Sequence, residues 1–140
     1  MPFRLAIFNG AALSDDTETR RVLHFLRGCE VLNMAVCTAE SAVENSRKLM
    51  TEGHLEESWF CPNDEEKMIR DILARHKIAA RDALYVGRTP PSIGRANKTG
   101  VTTFFLGEYP SPPYIHQTKP CYQIPDLSLV VAVVRAQLGA

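Results

Sequence analysis

The stretch DALYVGRTPPSIGRANKTGVTTFFL, residues 82–106, decides the architecture. Its apolar run Ala83-Leu84-Tyr85-Val86 stops at Gly87. A run this short that ends at a turn reads as a buried strand, not a buried helix. Pro90 and Pro91 then start a short helical segment that closes at Gly100, because proline suits the first helical positions and glycine the position just past the last. Residues 101–107 form the next strand. The unit is strand, helix, strand.

The same alternation extends outward in both directions. Arg4–Phe8 is a short strand bounded by Asn9-Gly10. Residues 14–28 follow as a helix, with Ser14, Asp15 and Asp16 offering N-cap oxygens, Val22, Leu23, Phe25 and Leu26 at helical spacing, and Gly28 as the expected stop. Residues 30–38 form a strand ending at Thr38, and residues 39–53 a helix closed by Gly53. Glu57–Phe60 is a third strand. Cys61-Pro62-Asn63-Asp64 leads into a helix whose apolar stripe is Met68, Ile69, Ile72 and Leu73. Residues 126–139 close the chain as a helix with Leu127, Val130, Val131 and Val134 facing the core.

Residues 108–125, EYPSPPYIHQTKPCYQIP, break the pattern. Their prolines exclude regular helix and central strand, so the stretch reads as a surface loop holding at most one short edge strand. Its Tyr109, Tyr114, His116 and Tyr122 suit either a partner contact or packing on the loop's own domain.

Alternating strands and helices imply an α/β fold in three layers: a sheet of about five mostly parallel strands with helices on both faces. Sheets of this kind place their sites in the loops after the strand C-termini. Those places are Asn9-Gly10, Thr38, Cys61 and Gly87-Arg88.

Bulk properties narrow the function. A chain of 140 residues fits one domain, spanning residues 1–140, and 45% hydrophobic residues suffice for a core. Sixteen basic and 16 acidic side chains give zero formal net charge, which argues against a dedicated nucleic-acid or polybasic membrane surface. No apolar run approaches the roughly 20 residues of a membrane helix. The N-terminal MPFRLAIFNG lacks a signal-peptide apolar region, so the expected location is cytoplasmic. Cys29, Cys37, Cys61 and Cys121 include no CxxC pair and read as reduced thiols.

The four strand-end sites, in this order, resemble the haloacid dehalogenase-like (HAD) superfamily of phosphohydrolases. DALYVGRTPPSIGRANKTGVTTFFL is similar to the family's strand, glycine, acid, turn, second acid and small helix. CPNDEEKMIRDILARHKIAARDALYVG resembles the Lys-Pro-led helix before it, NMAVCTAES the strand ending in a phosphate-binding Thr or Ser, and LAIFNGAAL the opening strand with its Asp-x-Asp sequel. The resemblance implies a Rossmann-like HAD core. No insertion is long enough to be the cap domain that many members carry.

The departures from the family pattern are chemical. The family uses an aspartate nucleophile and a second Asp as acid and base. Here Asn9 takes one of these positions, which one depending on where a gap is placed, and neither position holds a carboxylate. The family Lys falls at Cys61, and its magnesium ligands fall at Arg88 and Ser92. Thr38 alone keeps a family-like side chain. A neutral amide is a far poorer nucleophile than a carboxylate and exchanges no proton near pH 7. Magnesium, which prefers carboxylate oxygens, is therefore expected to be lost, leaving no cofactor. Asp15 and Asp16 are placed either to reach the crevice or to cap the helix after it.

Several functional expectations follow. The first is a catalytically inactive pseudo-phosphatase that acts as a binding or regulatory module, with Gly10, Thr38 and Arg88 forming a metal-free pocket for a small anion or phosphorylated ligand. Against the pocket stands internal pairing of Arg88 with a neighbouring acid. Another is a scaffold that pairs with a protein partner or with itself. The alternatives are a HAD-like hydrolase with a divergent active site, and a Cys61-based enzyme using one of His24, His54, His76 or His116.

Overall fold

The computed structural model of the protein describes residues 3–62, 64–107 and 119–139. Among these residues six strands form one sheet: β1 (Leu5–Asn9), β2 (Leu32–Cys37), β3 (Glu57–Phe60), β4 (Ala83–Gly87), β5 (Thr102–Leu106) and β6 (Tyr122–Ile124). The order is β3-β2-β1-β4-β5-β6, and every pairing is parallel. The sequence reading of about five mostly parallel strands is thus one strand short. The sixth is the short edge strand inside the proline-rich stretch, where Tyr122 stacks on Phe104 with ring centroids 4.8 Å apart.

Among the described residues, five helices cover the sheet: α1 (Thr17–Gly28), α2 (Glu40–Thr51), α3 (Glu65–His76), α4 (Pro90–Asn97) and α5 (Ser128–Gly139). Asp16, Asp64 and Thr89 each cap a helix start, accepting from the N–H of Thr19, Lys67 and Ser92 respectively. Asp16 is one of the three N-cap candidates read from the sequence; the caps made by Asp64 and Thr89 are shown by the structure. One stop is misplaced. Gly28 lies inside α1, and the chain turns two residues later, where Glu30 takes a left-handed φ of 64°.

Strand alternation divides the core between the two faces of the sheet. Ala6, Phe8, Leu84 and Phe104 pack with Leu23 and Leu26 of α1 and Val130 and Val134 of α5. Leu5, Ile7 and Tyr85 pack on the other face with Met68, Ile69 and Ile72 of α3 and Ile93 of α4. The central strands are fully buried because both faces are covered, which is why their sequence reads as continuous apolar runs. Strand order turns back at β1, between β2 and β4, so the crevice opens above the ends of these strands.

Candidate functional site

Asn9 ends β1 and is almost fully buried. Its Oδ1 accepts from the Ala11 N–H at 2.9 Å, and this bond starts the 3-10 turn Gly10–Ala12. Its Nδ2 donates to Glu65 Oε2 at 3.0 Å and to the Tyr85 hydroxyl at 3.3 Å. The amide is therefore engaged through both of its heteroatoms.

Glu65 is the partner that sequence reasoning missed. Asp64 caps α3, so Glu65 is its first helical residue, and the side chain turns into the crevice with only 1% exposed. Glu65 Oε2 also accepts from the Tyr85 hydroxyl and from Ser92 Oγ, the latter at 2.7 Å. Glu65 Oε1 accepts from Arg95 Nη1 at 3.0 Å. Tyr85 and Ser92 hydroxyls stand 2.6 Å apart. Burial, and then the Glu65 charge, push the Tyr85 phenol far above its ordinary range. Four side chains from β1, β4 and α4 thus converge on one buried carboxylate.

The glycines set how closely this layer packs. A Cβ on Gly87 would lie 3.0 Å from Ser92 Oγ and 3.0 Å from Tyr85 Cε1. A Cβ on Gly10 would lie 2.7 Å from Ala42 Cβ and 2.9 Å from Cys37 Sγ. Gly10 is thereby held against the first turn of α2. The residue before that helix, Ala39, provides no side-chain cap, and Thr38 is half-buried beside it.

The candidate residues separate into different places. Ser92 is buried inside the Glu65 network. Gly10 and the Thr38 segment lie together at the start of α2. Arg88 is exposed and makes no hydrogen bond or ion pair with the described residues; it lines a cleft of about 200 Å³ with Ser14, Asp16, Glu18 and Asp126. Gly10 and Thr38 are not among that cleft's walls. Among the described residues, the internal pairing with an acid that was considered for Arg88 is made by Arg95. The reason is helical spacing: Arg95 is one turn after Ser92 and shares its face. That spacing was visible in the sequence; Glu65 as its target was not.

Asp16 caps α1, and Asp15 pairs outside the crevice with Arg20 and Lys48. Cys61 is half-buried against the α3 face of the core. His76 faces Glu57 and His54 faces Glu52. Among the described residues no three His, Cys, Asp or Glu side chains gather as metal ligands would. Tyr109, Tyr114 and His116 lie outside the described residues. None of the described helices is long and apolar enough to cross a membrane.

No protein-family model matches the sequence, and no curated protein does. Solved structures do match. A dehalogenase superposes with a TM-score of 0.70 at 13% identity over 84% of this chain and 55% of its own. The fold is that of the haloacid dehalogenase-like hydrolases. A HAD-like family hydrolase from Streptococcus pneumoniae matches with a TM-score of 0.68 at 15% identity, covering 84% of this chain and 59% of that one. A HAD-superfamily hydrolase of subfamily IA from Geobacter sulfurreducens matches with 0.67 at 12% identity over 94% and 99%. The chain therefore spans a little over half the length of the first two and nearly all of the third. Identities this low establish the shared HAD-like fold and leave chemistry to the site residues.

Proposed function

We propose that this HAD-like chain is a binding or regulatory domain that does not carry out aspartyl phosphoryl transfer. The observation that carries the reading is Asn9. At the end of β1, where the HAD mechanism places its carboxylates, stands an amide held on one side by Ala11 and on the other by Glu65. It has neither the charge to attack phosphorus nor a proton to exchange.

A divalent metal does not fit the residues present. The carboxylate in the crevice, Glu65, is already saturated by three donors on Oε2 and a guanidinium on Oε1. An ion placed there would meet the arginine as a like charge. At about 4 Å and an effective dielectric of 20, each of the ion's two charges would be repelled by ~4 kcal/mol.

The crevice keeps features suited to a small anion or a phosphorylated ligand. The start of α2 lacks a side-chain cap, which leaves first-turn N–H groups and the positive end of the helix dipole open to a ligand, with Thr38 alongside. Arg88, with no hydrogen bond or ion pair to the described residues, adds a cation at a cleft that Asp16, Glu18 and Asp126 also line. In this reading the domain is a single HAD-like core over residues 1–140 without a cap, cytoplasmic, needing no cofactor, and acting through an anion, a protein partner or a second copy.

Two measurements test the reading. Calorimetric titration of inorganic phosphate without metal should give heat that falls in Thr38→Val and in Arg88→Ala; no heat at millimolar phosphate removes the anion site. Para-nitrophenyl phosphate should not be hydrolysed with or without magnesium. The second reading, a divergent hydrolase, draws on the hydrolases that share the fold. Magnesium-dependent turnover that Asn9→Ala abolishes would establish it.

A further inference from the structure

We propose that the groove between α1 and α5 binds a small amphipathic carboxylate, its apolar tail lying along Val131 and Ala132 and its head group held by Arg21 and Arg135. The inference is independent of whether the Asn9 crevice takes phosphate.

The two helices run side by side from a shared start. The Ser128 N–H at the head of α5 donates to Glu18 Oε1 in the first turn of α1 at 3.2 Å. About two turns on in each helix, the Arg135 guanidinium stands 4.9 Å from the centre of the Phe25 ring. Between these two contacts the groove is lined by Arg21 and Val22 on one side and by Val131 and Ala132 on the other. It encloses about 460 Å³ and extends about 10 Å at the helical rise. That volume suits a small molecule, and the length is too short to seat a helix of several turns.

The tail is set by α5. Among its described residues Arg135 is the sole charged side chain, so the helix is apolar on almost every side. Val130 and Val134 are spent on the core. Val131 is half-buried and Ala132 faces solvent, so both keep carbon surface to cover. An apolar chain laid on them leaves water, which is favourable in proportion to the area covered.

The head group is set by charge. Among the described residues no acid pairs with Arg21 or Arg135, or with His24 on the same rim. Glu18, the acid on the described walls, is engaged by Ser128. The rim is therefore cationic in excess. The Phe25 ring takes one face of the Arg135 guanidinium as a cation–π partner and leaves its N–H edges for a carboxylate. A cationic ligand would meet like charge there.

The experiment titrates sodium octanoate, 1-octanol and sodium acetate calorimetrically at fixed ionic strength, with circular dichroism to establish folding and amide NMR to locate binding. Octanoate should bind saturably and more tightly than octanol, which lacks the charge, or acetate, which lacks the tail. Shifts should gather on α1 and α5 rather than at Gly10 and Thr38. Arg21→Gln and Arg135→Gln should each weaken octanoate about fivefold, the size of an exposed ion pair. Ala132→Glu, at an exposed position, should abolish binding by placing a fixed carboxylate beside the arginines. The proposal is overturned if millimolar octanoate gives no saturable heat, if octanol or acetate binds as tightly, or if folded Arg135→Gln and Arg21→Gln both bind like the wild type. It is equally overturned if inorganic phosphate displaces octanoate, which would put the carboxylate in the crevice. Binding to anionic phospholipid vesicles without binding of free octanoate would assign the face to a membrane and also end it. Phosphate heat by itself bears on the proposed function and leaves this result unaffected.

Discussion

Tyr85 combines a fully buried ring with a hydroxyl that donates to Glu65 and receives from Asn9. Its phenol titrates above the ordinary tyrosine value, first because of burial and second because of the Glu65 charge. A pKa raised in the folded state gives stability that is whole below the unfolded value of about 10 and is lost as pH climbs above it. The denaturation midpoint should thus fall above about pH 10, and Tyr85→Phe should flatten that decline when urea unfolding is followed across pH. At neutral pH the same substitution removes a donor to a charged acceptor and should cost about 1.5–3 kcal/mol. Asp15 has the opposite sign. Lys48 first, and Arg20 second, hold it below its usual range, so its contribution is present above about pH 4 and fades on acidification. Asp15→Asn should make the acid limb of the same profile shallower.

Among the elements, the 3-10 turn after β1 is the most tightly constrained. Asn9 starts it, and Gly10 passes so close to α2 that an added methyl would overlap Ala42 and Cys37. Gly10→Ala should destabilise the domain by about 1–3 kcal/mol, the range for overpacking a filled site, with the loss measured by chemical denaturation. Helix α1 offers a milder contrast. Asp16 accepts from the Thr19 N–H at 2.8 Å, and Asp16→Ala should cost about 1 kcal/mol without disturbing the crevice. Helix starts were legible because capping is local chemistry. The end of α1 was not, because Gly28 is followed by a turn that Glu30 accepts in a left-handed conformation.

At the scale of the molecule, one sheet is shared by two hydrophobic layers. Phe104 on the α1–α5 side is fully buried and stacks on Tyr122 of the edge strand, so Phe104→Ala should cost about 3–5 kcal/mol. Because each central strand contributes side chains to both layers, neither layer can melt alone. Near-ultraviolet and far-ultraviolet circular dichroism should report one coincident thermal transition.

The order of strands and helices, the cap of α1 and the apolar stripes of the helices were fixed locally, by periodicity and by Gly, Pro and Asp at the turns. They follow from rules that act within a few residues. The absence of carboxylates at the HAD-pattern positions was equally plain from residue identity. Where the charge went instead was not: Glu65, Tyr85 and Arg95 are separated along the chain and meet only because β1, β4, α3 and α4 close on one another. A hydrogen-bonded ion pair across elements leaves no periodic trace, since its geometry exists only once the sheet has brought the strand ends together.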